Sequence, residues 1–532
     1  MIVAPRGEAL EFRIEVGEDN PGRAFLRTNL GRARLRREEI VAEVELGQAP
    51  LKADWRDLPM AEVAPGVHSI LVPLDEVGRF LAKSFFEPAD GGVLRWPEGG
   101  DVVIKVEPAD TVCANTMYSA FVRQFGESKS LREVPALEDG IEALDEAGYA
   151  VIPPSGKFRD LIAELDFIVG ELGFRIIQVL PVFPVPTTYA RMGRFGSPFA
   201  ALDFTEVDPA LAEFDRRTTP LDQFREMADG VHARRAKLFI DIPINHTGWA
   251  SWLQTHHPEW FQRDRHKQFK SPGAWGITWE DLSELNYEQK DLWRYISDVF
   301  LFWCRQGVDG FRCDAGYMVP EPVWRYVVAK VRREFPDTIF FLEGLGGPLR
   351  TVEALLDRAN INWAYSEIFQ TEGRWELSRK LQEWTEGSLR RGIEVHFAET
   401  HDNDRLASHG ETYSSLRVAL AAMASVNGGY GITAGVEWFA RDKILVHGAV
   451  PLNWGADRNQ VAWIRRLNAL LRSHAAFADA ATLEVVSVGE GEQFGIVRKN
   501  GDASGLVLFY LDLERPVISC WGAGLVSSGG CV

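Results

Sequence analysis

The sequence is organised around one short segment, Gly310-Phe311-Arg312-Cys313-Asp314-Ala315, in which an apolar run ends on Asp314. A second apolar run, from Ile339 to Leu342, ends on Glu343. A helical pattern lies between the two runs, from about residue 322 to residue 334. Strand, helix and strand in this order predict parallel neighbours, whose carboxyl ends lie on one rim. The two acids are therefore expected to converge, as in sites that cleave glycosidic bonds.

The same alternation of strands and helices continues on both sides of this segment, over residues 148–478. Eight strands are predicted there, at 149–153, 176–182, 237–242, 308–313, 339–342, 363–368, 394–399 and 431–434. Eight strand and helix units in series favour an α/β fold of the closed (β/α)8 TIM barrel type. An open doubly wound sheet is the alternative. It predicts a Gly-rich phosphate turn, and no G-x-G-x-x-G follows the first predicted strand.

The regions that flank the barrel are predicted to be rich in β-structure. Residues 1–110 contain runs that alternate with period two, separated by Gly, Pro, Asp and Asn clusters, which predicts an N-terminal β-sandwich. This domain could bind carbohydrate, but a domain that packs against the barrel and supports it is the favoured interpretation. Residues 111–147 are predicted to be a helical connector, and residues 479–532 a short, incomplete C-terminal β domain.

The composition argues against several classes of function. The formal net charge is −18 and no basic stripe offsets it, so no nucleic-acid partner is expected. No apolar run reaches the roughly 18 residues of a membrane span. The five Cys have neither the pattern of a disulfide framework nor metal-ligand spacing. The first residues lack the apolar core of a signal peptide. We therefore expect a cytoplasmic protein without membrane contact. The sequence does not determine its oligomeric state.

Four polar clusters end the predicted strands three, four, five and seven. They are Asp241-Ile242-Pro243-Ile244-Asn245-His246, Arg312-Cys313-Asp314, Glu343-Gly344 and His401-Asp402-Asn403-Asp404. A single Asp or His at a strand end is usually structural, but four such ends in order around one barrel are harder to attribute to structure. The clusters resemble the four short sequence regions of the α-amylase superfamily, glycoside hydrolase family 13. The segments Ser197 to Phe204 and Leu282 to Asn286 support the resemblance, which covers about residues 148 to 475.

The resemblance implies a retaining glycosidase or transglycosylase that acts on α-glucosidic links of glucans or maltooligosaccharides. A debranching or glucanotransferase-like member is the sub-type that we expect. Asp314 resembles the nucleophile that forms a covalent glycosyl intermediate, and Glu343 the acid that protonates the leaving oxygen and then acts as base. Asp402 resembles the third acid, which binds hydroxyls and favours the distorted ring. Burial and neighbouring acids should raise the pKa of Glu343, and activity should be bell-shaped in pH.

The resemblance also implies a set of sugar contacts, namely Arg312, His246, His401, Phe199, Asp203 and Tyr317. Arg312 is expected to keep Asp314 ionised and correctly aimed, because both side chains point to the same side of the strand. Phe199 stands where many members have a Tyr that stacks on the sugar. Tyr317 stands in a position where starch-hydrolysing members often have a basic pair, which weakens the case for an ordinary endo-amylase.

Asp241 and Asn245 are expected to be structural residues beside the site. Asn245 resembles a calcium ligand of calcium-binding members, but the loop after strand three is short for a calcium-carrying subdomain, so no metal is predicted. No cofactor is expected to be required. The alternative to an enzyme is a non-catalytic barrel that binds glucan or a partner. Such members generally lack one of the three acids, and all three are present here.

Overall fold

Eight parallel strands close into a barrel, which confirms the predicted (β/α)8 architecture. The computed structural model describes residues 1–134, 139–149, 151–478, 482–487, 493–500, 503–510 and 518–522. We number the barrel strands one to eight in chain order: Thr116–Ala120, Ile176–Val179, Lys237–Ile242, Gly310–Cys313, Ile339–Leu342, Trp363–Tyr365, Glu394–Phe397 and Tyr430–Thr433. Strand eight pairs with strand one, and this contact closes the ring.

Helices lie between the strands and cover the barrel from outside. In chain order the described helices of this region include Asp139–Glu146, Phe158–Leu165, Pro220–Ala233, Lys290–Arg305, Glu321–Glu334, Leu349–Asp357, Arg374–Arg390, Glu411–Ala424 and Val461–Ser473. The helix after strand four shows the local causes. It starts at Pro320, carries Glu321 in its first turn and Arg333 in its last, and these charges complement the helix dipole. Its buried stripe, which includes Trp324, faces the barrel.

The first barrel strand does not lie where the sequence pattern predicts. The expected strand at 149–153 is absent from its described residues 151–153, where Pro153 cannot donate to a ladder. Strand one is instead Thr116–Ala120, which pairs with strands two and eight. All five of its residues are buried, so it lacks the polar and apolar alternation that marks a half-exposed strand. The barrel therefore begins inside the predicted connector, 111–147.

The N-terminal region is one bent sheet rather than two separate sheets. Its seven strands are Ile2–Pro5, Ala9–Glu15, Gly22–Thr28, Arg56–Ala64, Val67–Pro73, Gly78–Pro88 and Val102–Glu107. The first half of strand Arg56–Ala64 pairs with Gly22–Thr28, and its second half pairs with Val67–Pro73. The sheet folds over at this strand, and its two halves enclose one apolar core. The two layers of the predicted sandwich are thus halves of a single sheet.

One helix of the N-terminal region contradicts the expectation that residues 1–110 are all β. The segment Ala33–Leu46 is helical and packs on the barrel helix Glu321–Glu334. The hydroxyl of Tyr326 donates to Glu45 at 2.7 Å, and the Lys330 ammonium lies 3.1 Å from the same carboxylate. The segment is rich in Arg and Glu and buries few residues, so its apolar stripe is weak. Packing against the barrel therefore stabilises a helix that the apolar pattern of the segment does not predict.

Lys105 joins the N-terminal sheet to the barrel. Its buried ammonium donates to the carbonyl oxygens of Leu356 at 3.2 Å and Arg391 at 2.6 Å, and also to that of Ile361. The Glu107 carboxylate lies 3.5 Å away. Burial lowers the pKa of Lys105 to about 8, against the opposing effect of Glu107. The buried ammonium group therefore depends on these oxygens for its hydrogen bonds. The oxygens of Leu356 and Arg391 lie at the ends of two barrel helices.

We expect Lys105→Met to lower the free energy of unfolding by about 3 kcal/mol, because it removes the cation beside the buried Glu107 and the donor to several buried carbonyl groups. Urea denaturation followed by circular dichroism measures this change. Lys52→Met is the matched control, since Lys52 is exposed, and it should change stability by no more than about 0.5 kcal/mol. Equal effects of the two substitutions would contradict the role given to Lys105.

The C-terminal region forms a four-stranded antiparallel sheet from Thr482–Ser487, Gln493–Asn500, Ala503–Tyr510 and Ile518–Gly522. The rest of the predicted domain, 479–532, lies outside the described residues, and its incompleteness stays a prediction. No helix in the described part of the chain is long and apolar enough to cross a membrane.

Candidate active site

The register between strands four and five sets two acids side by side. Cys313 pairs with Leu342, so Asp314 and Glu343 follow equivalent positions on neighbouring strands. Such strands lie about 4.8 Å apart, and retaining glycosidases hold their two carboxyl groups about 5 to 5.5 Å apart. The Glu343 carboxyl group also accepts a 2.7 Å hydrogen bond from the backbone N of Ala315. The two carboxyl groups therefore converge at one end of the barrel.

Arg312 is the buried cation that holds the nucleophile candidate. Its Nη1 donates to both oxygens of Asp241 at 2.9 Å and to Oδ1 of Asp314 at 2.6 Å. Asp241 and Arg312 are direct partners in the ladder between strands three and four. The guanidinium remains charged at any accessible pH. Burial raises the pKa of Asp241 well above its usual range, and the charge of Arg312 opposes this effect. Asp241 is fully buried, and its structural role stays a prediction.

Glu343 is placed to hold a proton at neutral pH. Its pKa is raised to about 8, chiefly by burial, and the carboxylates of Asp314 and Asp402 raise it further. Arg312 and the bond from Ala315 oppose this shift without cancelling it. Asp314, by contrast, is in direct contact with the guanidinium. The environments of the two carboxyl groups thus differ: Glu343 is buried with a raised pKa, and Asp314 contacts the guanidinium.

The pKa of Glu343 predicts the alkaline limit of activity. We expect kcat/KM to fall above about pH 8, because the free enzyme then loses the proton that the leaving oxygen needs. A pH profile on a maltooligosaccharide measures this limb. Glu394→Gln is the control: burial also raises the pKa of Glu394 to about 8, but it begins strand seven at the opposite end of the barrel. The pH profile of Glu394→Gln should still show the fall in kcat/KM above about pH 8. If the activity of the parent protein stays level up to about pH 10, Glu343 is not the group that sets this fall.

The loop after strand seven carries the third acid. Asp402 is 65% exposed and lies 3.5 Å from Nε2 of His401. The loop is anchored below by Glu399, which accepts a 2.6 Å bond from the buried Arg405. Because the charge of Asp402 acts on the pKa of Glu343, the two carboxyl groups share one mouth. Asp402 therefore faces the pair from the solvent side.

Phe199 brings two of the predicted histidines together. Its ring stacks on His401 with centroids 5.4 Å apart and planes at 14°. Its carbonyl oxygen lies 3.2 Å from Nε2 of His246, and the Arg312 guanidinium lies 5.9 Å from its ring. Burial lowers the pKa of both histidines, so neutral rings face the site. Neutral imidazoles can donate to sugar hydroxyls, which is the role expected of them.

Tyr317 and Asp203 differ in how the structure places them. Burial and the charges of Glu343 and Asp314 raise the pKa of Tyr317 to about 12, which places this residue beside the acids. The Asp203 carboxylate instead accepts bonds from N and Oγ1 of Thr205, each 2.7 Å long. These bonds make a local turn of the loop. Sugar contact by Asp203 stays a prediction.

Asn245 does not present an oxygen-rich cage. Its Nδ2 lies 3.1 Å from the sulfur of Met318. Calcium takes six to eight oxygen ligands. Across the residues that the structure describes, no group of three or more His, Cys, Asp or Glu is arranged to hold a metal ion. The expectation about metal and cofactor therefore stays a prediction of the sequence.

Sequence analysis did not single out Tyr365, the last residue of strand six. Its ring stacks on Phe341 at 4.4 Å and packs on Phe397 at 4.9 Å. The Arg312 guanidinium lies 5.7 Å from the centroid of this ring. Tyr365 thus supports the guanidinium that holds Asp314. A polar group at the carboxyl end of a barrel strand was the available signal, although a Tyr there is common as a packing residue.

The chain is similar to an α-amylase family model and to several curated proteins. A family model described as "Alpha amylase, catalytic domain" matches residues 120–340. An α-1,4-glucan:maltose-1-phosphate maltosyltransferase of Cereibacter sphaeroides is 25% identical over 421 residues, 72% of this chain and 60% of the relative. A protein of the same name from Burkholderia pseudomallei is 29% identical over 310 residues, 54% of this chain and 26% of the relative. The chain thus spans 60% of the length of the first of these.

Solved structures agree with the fold. An α-amylase from Lactobacillus plantarum superposes with a TM-score of 0.60 at 23% identity, over 76% of this chain and 90% of that one. A maltogenic α-amylase from Thermotoga neapolitana gives 0.60 at 18% identity, over 77% and 89%. At this level of identity the likeness establishes the fold of the barrel and nothing finer.

Proposed function

We propose that this chain, which belongs to the α-amylase superfamily, is a retaining enzyme that breaks an α-glucosidic bond and passes the glycosyl unit to a second molecule. The observation that carries the proposal is the ladder pair Cys313 and Leu342, which sets Asp314 and Glu343 next to each other. The charge pair with Arg312 and the raised pKa of Glu343 support the assignment of the two roles.

The first step forms a covalent intermediate. Glu343 donates its proton to the leaving oxygen while a carboxylate oxygen of Asp314 attacks the anomeric carbon, and the bond to the leaving group breaks. Asp402 lies where it can bind hydroxyls of the strained ring. Arg312, which is also bonded to Asp241, holds Asp314 from below.

The second step transfers the sugar. Glu343, now a carboxylate, takes the proton of an incoming hydroxyl, which attacks the anomeric carbon and displaces Asp314. Two inversions retain the configuration. The relatives are named for transfer between maltose 1-phosphate and α-1,4-glucan, and these names support an α-1,4-glucan as the acceptor and a maltosyl or longer unit as the transferred group.

A non-catalytic barrel that binds glucan is the competing function. It gives no reason for a buried carboxyl group with a raised pKa next to a second carboxyl group, whereas strongly shifted pKa values are typical of catalytic sites. The enzyme is therefore favoured, and product analysis separates the two.

Product analysis tests the proposal directly. The protein is incubated with maltoheptaose alone and with maltoheptaose plus maltose 1-phosphate, and chain lengths are read by mass spectrometry. Transfer predicts chains longer than the starting one, and hydrolysis predicts only shorter ones. Glycogen as a third substrate reports debranching. A complete lack of new chain lengths with every donor would reject the enzyme and leave the glucan-binding barrel.

A further inference from the structure

A small β-hairpin in the long loop after strand three carries a tryptophan at its tip. Gly273–Ala274 pairs with Ile277–Thr278, and Trp275 and Gly276 make the two-residue turn. Both turn residues have positive φ, 52° and 79°, as a type I′ turn requires. Asn, Asp or Gly usually fills the first of these positions because a bulky side chain is strained there. Trp275 is thus an unfavourable choice for the turn itself.

Burial does not offset this strain. Trp275 is 71% exposed and its neighbour Ile277 is 65% exposed. A strained backbone that presents a large aromatic side chain to solvent indicates function rather than packing. The indole face is a rigid apolar surface, which suits a ligand that has an apolar face of its own.

The inner edge of this indole touches the loop that follows the catalytic acid. The backbone N of Gly347 donates to the carbonyl oxygen of Gly344 at 3.0 Å, which makes a tight turn directly after Glu343. Gly346 has a φ of 71° in this turn, and a side-chain carbon added there would overlap the indole of Trp275. Glycine therefore allows the hairpin tip to rest on the turn.

The next glycine makes the equivalent contact with Tyr317. A side-chain carbon added at Gly347 would overlap the Tyr317 ring. Tyr317 in turn lies near both Glu343 and Asp314, since their charges act on its hydroxyl. The two rings thus lie on successive glycines of one turn, with Tyr317 near the carboxyl groups and Trp275 further out. Together they form an aromatic edge along the turn that follows Glu343.

The role proposed for Glu343 indicates which side of the scissile bond lies along this aromatic edge. Glu343 protonates the departing oxygen and later deprotonates the incoming one, so the leaving group and the acceptor occupy its side of the scissile bond. The turn that begins at Glu343 borders that side. The hairpin tip therefore stands over the path of the acceptor chain.

We propose that Trp275 binds the acceptor glucan by stacking its exposed indole on a glucose ring beyond the first acceptor sugar. This inference rests on the proposed function, because it names a subsite of the same mouth. The ligand of this subsite is a neutral α-glucan of several units, long enough to extend from the carboxyl groups to the exposed hairpin tip. The stack selects long acceptors over short ones without touching the reacting atoms.

Binding to an inactive protein tests this subsite apart from turnover. Isothermal titration of Asp314→Asn with maltoheptaose and with maltose gives two reference dissociation constants. Adding Trp275→Ala should raise the dissociation constant of maltoheptaose about tenfold and that of maltose less than about twofold. Adding Trp275→Phe instead should retain most of the affinity for maltoheptaose. Phe214→Ala, which removes an aromatic ring that is 92% exposed on another loop, is the control and should change neither constant.

Two outcomes would overturn the subsite. An unchanged dissociation constant for maltoheptaose in Trp275→Ala would show that the ring touches no sugar. Equal weakening for both sugars would show that the ring only supports the turn after Glu343. In the active protein, the substitution should raise the KM for long acceptors and leave kcat unchanged. A protein that binds maltoheptaose through Trp275 but releases no product would reject the proposed function and retain the subsite.

Discussion

Asp314→Asn is expected to reduce turnover of α-glucan by about 10⁴-fold or more, the scale on which enzymes lose activity with their nucleophile. The amide keeps the size of the side chain but cannot attack the anomeric carbon, so no covalent intermediate forms. Arg312 keeps its two bonds to Asp241, and the barrel should therefore remain folded. Reducing-sugar release and chain-length analysis on maltoheptaose measure the loss.

Asp298→Asn is the matched control for this substitution. Asp298 is an exposed carboxylate on a barrel helix, where it pairs with Lys330 at 3.0 Å. Its activity should stay within about twofold of the parent, as for most surface substitutions. Asp314→Asn should also melt within a few degrees of the parent, which excludes unfolding as the cause. Comparable turnover by Asp314→Asn and the parent would refute the covalent mechanism.

Glu343→Gln is expected to lower turnover of maltoheptaose by about 10³-fold, because general acid catalysis contributes about 10² to 10⁴. The amide cannot protonate the leaving oxygen. A donor whose leaving group departs without a proton, such as a maltosyl fluoride, should bypass this need in the first step. We therefore expect a much smaller loss with the fluoride than with maltoheptaose.

The ratio of the two losses is the measurement that identifies the acid. Initial rates of fluoride release and of maltoheptaose consumption are compared for the variant and the parent. The intermediate on Asp314 should accumulate with the fluoride, because the variant also lacks the base for the second step, and mass spectrometry of the intact protein detects it. Identical losses with both donors would show that Glu343 does not transfer the proton.

The barrel was predictable where apolar runs end in polar clusters. Strands four and five are short buried runs that stop at Asp314 and Glu343, and their flanking helices have clear apolar stripes. Strand one escaped prediction because Thr116–Ala120 is buried on both faces and has no alternation. The helix Ala33–Leu46 escaped because its stabilising partner is a barrel helix almost 300 residues away.

The positions of the acidic residues could be predicted from the sequence. The residues that surround and orient them could be predicted only in part. Arg312, His246, His401 and Phe199 meet as expected around the pair. Tyr365 was not foreseen, since its role depends on the Arg312 guanidinium of strand four lying 5.7 Å from its ring. Asp203 was expected to meet the sugar, yet its observed bonds close a local turn at Thr205. Contacts of this kind depend on loop conformation, which short motifs do not encode.

Local pattern was sufficient to order the carboxylates along the chain and to put them at one end of a parallel barrel, because strand period and strand direction are short-range properties. Folding determined the rest. The pKa of Glu343 is raised because burial and the charges of Asp314 and Asp402 act on it together, and Trp275 rests on the turn after Glu343 because Gly346 leaves room for its indole. Both effects depend on distances across space, and these distances exist only once the barrel has closed.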